Sequence, residues 1–381
     1  MATTTLWTYQ DVIDHLSDWQ GGIADAKLLR NIKRAILTAY RDITNARLWS
    51  YYNQRGRVTT VADYDTGTIA YTHSTRAVTL TTGTWPSWAA RGVLLIDDVE
   101  YQVYSRDSSS QITLSVNSNP GENVASGTSY SIYQDTYTLP VDFTEAGEFK
   151  DIENSRVLDM VTPDEWLGLH NNGTTPSQPY AATIVQDPDY QGVMALRIFP
   201  PSDAVYRYDY MYRRMPRQLL TPQYNTGTVT TSTTTVTGTS TSFTSNMLGS
   251  VIRFSSSTST APTGIPGANP FTAERIITAF GSTTSLTIDS ALSAELTGVK
   301  YEISDPIDLE QGAMYSFFLR KCEYELGCLL NKSSDLPALT QKMAMAERLA
   351  READSRTRQP TGSGWYSRLP NRFDLTDMQP T

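Results

Sequence analysis

TGTIA at residues 66–70 and GTSYSI at residues 127–132 bracket a stretch that recurs later as TGTVT at 226–230 and GVKYEI at 298–303. Between the brackets the two copies keep one order of apolar positions. Alternation around Val78 and Leu80 answers that around Val236, and Trp85 falls on Phe243. Val93, Leu94 and Ile96 fall on Val251, Ile252 and Phe254, and Ile112 and Leu114 on Leu286 and Ile288. Short apolar runs separated by Gly, Ser and Thr read as strands and turns. The chain therefore carries one β-rich module twice. The second copy is longer by about one loop, the Pro/Gly/Ser-rich residues 259–267. A repeat separates the modular from the unique, so what is particular to this protein belongs in the segments that occur once.

Outward from the modules the pattern turns helical. Trp7, Val12, Ile13, Leu16 and Trp19 predict a short amphipathic helix stopped by Gly21-Gly22. Over residues 23–49, Leu28, Leu29, Ile32, Ala35, Ile36, Ala39, Tyr40 and Ile43 make one apolar stripe, with Lys27, Arg30, Arg34, Arg41 and Asp42 on the other side. The unique block, residues 135–223, opens with YTLPVDF (137–143) and contains TPDEWL (162–167). The second motif is a helix start, with Thr162 as N-cap, Pro163 in the first helical position and Asp164 and Glu165 in the first turn. Strand-like runs follow at 180–186, 193–199 and 205–212, and Pro200-Pro201-Ser202-Asp203 predicts a hairpin between the last two. Tyr206, Tyr208, Tyr210 and Tyr212 share one strand face. That stripe suits either an interface or burial beneath the terminal helices. After the second module, residues 309–330 and 337–353 predict a helical hairpin, and from Ser355 hydrophobic periodicity ends.

The fold class expected is α+β. It comprises a discontinuous helical-bundle core with a small β-hairpin block, and two inserted, mutually similar β-barrel or β-sandwich modules. The core occupies residues 1–57, 134–225 and 304–354, the modules 58–133 and 226–303, and an extended tail 355–381.

The 381 residues include 19% charged side chains and carry a net charge of −9, which argues against a surface built to grip phosphates over a large area. Cys322 and Cys328 lie on different faces of one predicted helix and are not expected to pair. No charged start followed by an apolar run marks a signal peptide, and no segment is long and apolar enough to span a membrane. His15, His73 and His170 lie in unrelated contexts. Carboxylates cluster at Asp97/Asp98, Glu145/Glu148, Asp164/Glu165 and Asp187/Asp189, but nothing pairs them across a cleft. Asp187-Pro188-Asp189 fits a Ca²⁺ ligand loop or a plain turn. No catalytic, cofactor-binding or metal residue is expected. Trp85 and Trp88 offer a sugar-stacking platform, although the match of Trp85 to Phe243 favours module core.

The N-terminal helix, YTLPVDF, TPDEWL, the strand ending YMYRRMP (210–216) and the C-terminal helical hairpin together resemble the head-to-tail adaptor proteins of tailed bacteriophages. They are most similar to the connector group that includes tail tubular protein A of short-tailed phages. That family shares a Leu-Pro-x-Asp-Phe turn, a Thr-Pro-x-x-Trp/Phe helix start and a Tyr-rich last strand. The resemblance implies a non-enzymatic virion protein of the tail or neck, made in the host cytoplasm and forming a twelve-fold ring beneath the portal. Its implied partners are the portal protein, a downstream nozzle or stopper and further copies of itself, with DNA only as passing cargo. Portal docking is then expected from the tail residues Arg356, Arg358, Trp365, Tyr366, Arg368, Leu369, Arg372 and Phe373. The alternative is a carbohydrate-binding or adhesion protein that uses the repeated modules.

Overall fold

The computed structural model describes residues 6–22, 25–170, 175–263 and 271–358. Helices α1 (Tyr9–Gln20) and α2 (Ala26–Ala46) lead to strand β1 (Asn53–Thr59). The first module supplies β2 (Ile69–Thr72), β3 (Ala77–Leu80), β4 (Val93–Ile96), β5 (Val99–Arg106), β6 (Gln111–Leu114), β7 (Val124–Thr128) and β8 (Ser131–Tyr133). The unique block supplies β9 (Thr136–Thr138), β10 (Phe143–Ala146), β11 (Lys150–Asp151), β12 (Arg156–Val157), β13 (Asp159–Met160), helix α3 (Pro163–Leu169), β14 (Ala181–Gln186), β15 (Met194–Phe199) and β16 (Arg207–Arg214). The second module supplies β17 (Thr228–Ser232), β18 (Thr235–Thr239), β19 (Val251–Phe254), β20 (Ala273–Ser282), β21 (Ser285–Ile288) and β22 (Tyr301–Ser304), before α4 (Ala313–Leu329) and α5 (Leu336–Arg358).

The expected helical-bundle core is overturned. The described chain is mostly β, with four sheets, two of them half-barrels. It forms two compact units, Tyr52–Met215 and Met1–Tyr51 with Pro216–Thr381. The helices α1, α2, α4 and α5 thus share a unit with the second module, while the unique block shares one with the first.

In the Tyr52–Met215 unit, β16 is flanked by β1, β10 and β11, with β12 at the edge, and a second sheet runs β13-β14-β15-β9. Their shared core contains Phe143, Phe149, Leu196, Ile198, Tyr208, Tyr210 and Tyr212. The tyrosine stripe is therefore core. Phe149 lies 4.4 Å from Tyr210, and Phe143 stacks on Tyr212 at 5.8 Å between ring centroids. Burial of each such ring contributes roughly 2 kcal/mol, so the block covers its own apolar face and needs no helix over it.

The hairpin expected across Pro200-Pro201 does not form. β15 pairs instead with β14, setting Ala182 against Ile198 and Ile184 against Leu196. β16 leaves for the other sheet, where β1 pairs with it from Asn53↔Arg213 to Thr59↔Arg207. Two prolines carry no N–H to continue a ladder. β1 has little apolar alternation, and the boundary expected between core and module after residue 57 falls inside it.

The two modules repeat in register. Val78 sits opposite Tyr71 and Ile112 in the first, and Val236 opposite Thr231 and Leu286 in the second. Leu94↔Ile132 is answered by Ile252↔Ile303. Trp85 and Phe243 are each 1% exposed, and the Tyr130 and Tyr301 hydroxyls donate to the carbonyls of Thr66 and Thr226. The TGT motif has a steric cause. Gly67 and Gly227 hold φ of +88° and +81°, and a Cβ there would lie 2.1 Å and 2.3 Å from the carbonyl oxygens of Thr82 and Thr239.

In the other unit, α2 buries Ile32, Ala35, Ile36, Ala39, Tyr40 and Ile43. α1 is fixed to the second module by residues that lack a counterpart in the first. Arg253 stands where the first module has Leu95, and Glu302 where it has Ser131. The Arg253 guanidinium, 1% exposed, lies 2.8 Å from Asp11 and 2.9 Å from Glu274. Asp11 also completes the capping box of α1 with Thr8. One duplicated strand thus becomes the seat of a helix by exchange of an outward-facing apolar residue for a cation.

Candidate functional site

The residue types that suggest chemistry are dispersed. His15 lies 3.1 Å from Glu323, His73 meets the edge of the Tyr71 ring, and His170 stacks on Trp166 with Nε2 2.5 Å from Glu100. Among the described residues, no group of three His, Cys, Asp or Glu side chains is placed to hold a metal ion. The carboxylates of the Asp187–Asp189 turn are paired with a protein cation. Arg91 lies 2.7 Å from Asp187 and 2.9 Å from Asp189, and the Thr138 hydroxyl donates to Asp187 at 2.7 Å. Burial pushes the Asp187 carboxyl up, yet the hydrogen bonds from Thr138, the Asp189 N–H and Arg91 hold it below the usual range.

The same unit continues this polar seam through Arg197, which lies 2.8 Å from Asp135 and 3.9 Å above the Trp166 ring. Burial likewise raises Glu100, and its contacts with His170 and Tyr133 together with the nearby Arg197 charge outweigh that, leaving it lowered. α3 brings Trp166 and His170 here because its start is fixed. Thr162 and Glu165 form a reciprocal capping box, with Pro163 in the first turn. The ion pairs of Arg91 with Asp187 and Asp189 and of His170 with Glu100 join the first module to the sandwich.

Of the aromatic candidates, Trp85 lies inside the first module and Trp88, half-buried, packs against the same module core. Of the expected docking residues, Arg356 is exposed on the last turn of α5, and that helix runs on to Arg358. Trp365, Tyr366, Arg368, Leu369, Arg372 and Phe373 lie outside the described residues.

One surface stands out by charge. The polar face of α2 exposes Lys27, Arg30, Arg34 and Arg41, with Lys33 half-buried beside them. A shallow groove runs over Arg30, Lys33, Arg34, Leu37, Thr38 and Arg41. None of the five cations forms an ion pair among the described residues. Asp42, on the same helix, pairs with Lys321 of α4 at 3.5 Å. The sequence placed Lys27, Arg30, Arg34 and Arg41 opposite the apolar stripe, without singling out Lys33, and a charged helix face is ordinarily just solvated. Their lack of partners became visible only once the neighbours of α2 were in place.

Neither the family models nor the curated proteins compared with this chain show a match.

Proposed function

We propose that this protein is a head-to-tail adaptor of a tailed-phage virion, a non-enzymatic ring component joining portal to tail around the DNA channel. The observation that carries this reading is the convergence of the three unique motifs in one small region. YTLPVDF supplies Tyr137, Leu139 and Phe143 to the sandwich core, and the strand ending YMYRRMP supplies Tyr210 and Tyr212. TPDEWL supplies Trp166, packed on Phe199 and Ala181 at the end of the same strands. Three of the five features that resemble the family thus come together in one body, and the N-terminal helix and C-terminal helical hairpin belong to the other unit. The modules supply bulk and surface, with their shared aromatic positions spent on their own cores.

Mixing the chain with the portal protein of its virus tests this. Twelve copies of 42.3 kDa add about 508 kDa to the portal mass, and native mass measurement or particle imaging reads that ring directly. A chain that stays monomeric in the presence of portal sinks the proposal.

A further inference from the structure

The charge of this chain is divided unevenly. Tyr52–Met215 contains 20 acidic and 11 basic residues, and the remaining residues contain 20 of each. All of the net −9 therefore belongs to one unit. The other unit, neutral in sum, concentrates five cations on one helix face. From Lys27 to Arg41 this face is about 21 Å long at 1.5 Å per residue. It is not purely ionic, because Leu37 in its middle is 45% exposed and Leu48 beyond its end is 53% exposed.

We infer that the basic face of α2 (Lys27, Arg30, Lys33, Arg34 and Arg41 around Leu37) docks on the acidic Tyr52–Met215 unit of a second copy of this chain. The two surfaces differ, so the contact is heterologous, and repeated head to tail it generates a ring or a filament. The inference deepens the proposed ring by supplying its subunit contact, and rests on that reading for closure into a ring. A protein partner is favoured over a polynucleotide by the exposed leucines, which gain from burial against protein and have no role on phosphates. A second copy is favoured over an unrelated acidic protein because it is present at equal concentration and carries a net −9 unit of complementary sign.

The test combines cross-linking with charge reversal on the full chain. Heavy-nitrogen-labelled and unlabelled protein are mixed with portal at low salt and treated with a zero-length carbodiimide. Peptides of mixed label are expected to join Lys27 or Lys33 of one copy to Asp or Glu within residues 52–215 of the other. Those links should fade in about 1 M salt, where the screening length is about 3 Å. The triple variant Arg30→Glu, Arg34→Glu, Arg41→Glu changes exposed positions only and should weaken self-association by at least about tenfold, as expected of close charge pairs. Links confined to single copies, or running to portal, overturn the inference. So does duplex DNA that binds the wild type and not the variant. A variant that still forms the full ring overturns it while leaving the adaptor reading intact. A wild type that forms no ring yet gives the mixed-label links removes the adaptor reading and keeps the contact.

Discussion

Arg253 and Glu302 show how much one residue decides in a duplicated module. Both replace small or apolar counterparts, and both lie on the face that receives α1. Glu302 is 2% exposed, and burial pushes its carboxyl up to about 7, against one hydrogen bond from Gln223. The unfolded chain releases this proton near about 4.3. Between those values the native state binds a proton that the unfolded state has lost, so stability falls as pH rises from about 4.3 to about 7, by roughly 4 kcal/mol in all. Glu302→Gln should therefore match the wild type in urea midpoint at pH near 4 and exceed it near pH 8. Equal midpoints for the two proteins at both pH values would falsify this account. Neither residue was legible as special in the sequence. A charged residue in an alternating strand reads as solvent-facing until something is known to cover it.

At the scale of elements, local chemistry was read well wherever the signal was local. Gly21 ends α1 in the left-handed region, whereas α2, expected over 23–49, runs only from Ala26 to Ala46, with Asp25 as its cap. Thr162 and Glu165 start α3 as TPDEWL requires. The module glycines carry a comparable demand. Gly227→Ala places a Cβ against the Thr239 carbonyl at positive φ, and should cost at least about 2 kcal/mol by strain and overlap. Gly121, also at positive φ (+79°), has open space within 4 Å of where a Cβ would stand, so Gly121→Ala should cost distinctly less. Thermal unfolding of the two variants compares them, and equal losses would remove the steric explanation of the repeated TGT. Strand pairing was read less well. The partners of β16 come from β1, β10 and β11, as far away along the chain as Asn53 is from Arg213. Sequence adjacency favoured the nearer β15 instead.

For the whole molecule, helices α1, α2, α4 and α5 and the second module form one unit, and β1, the first module and the block through Met215, with α3, form the other. α5 extends to Arg358, with Ala350 and Asp354 buried and Asp354 accepting from the Ser50 N–H and hydroxyl. A truncation meant to test portal docking must therefore spare the helix. Removing residues 359–381 should leave the unfolding temperature unchanged and weaken portal binding, as read by co-sedimentation or surface binding. Unchanged affinity would assign docking elsewhere. The basic face of α2 was half legible. Its cations were assigned to the correct side of the helix, but whether a carboxylate from another element neutralises them depends on packing.

The sequence by itself determined the repeat and its shared apolar positions, the stop of α1, the start of α3, and the apolar stripes, because each depends on residues close to one another along the chain. Only the tertiary structure decided which elements share a core. That choice rests on long-range complementarity, such as Asp11 reaching Arg253 across 242 residues or the tyrosines of β16 finding Phe143 and Phe149. The repeated TGTIA module was thus readable in both copies, but what each copy packs against was set by outward-facing residues whose partners lie far along the chain.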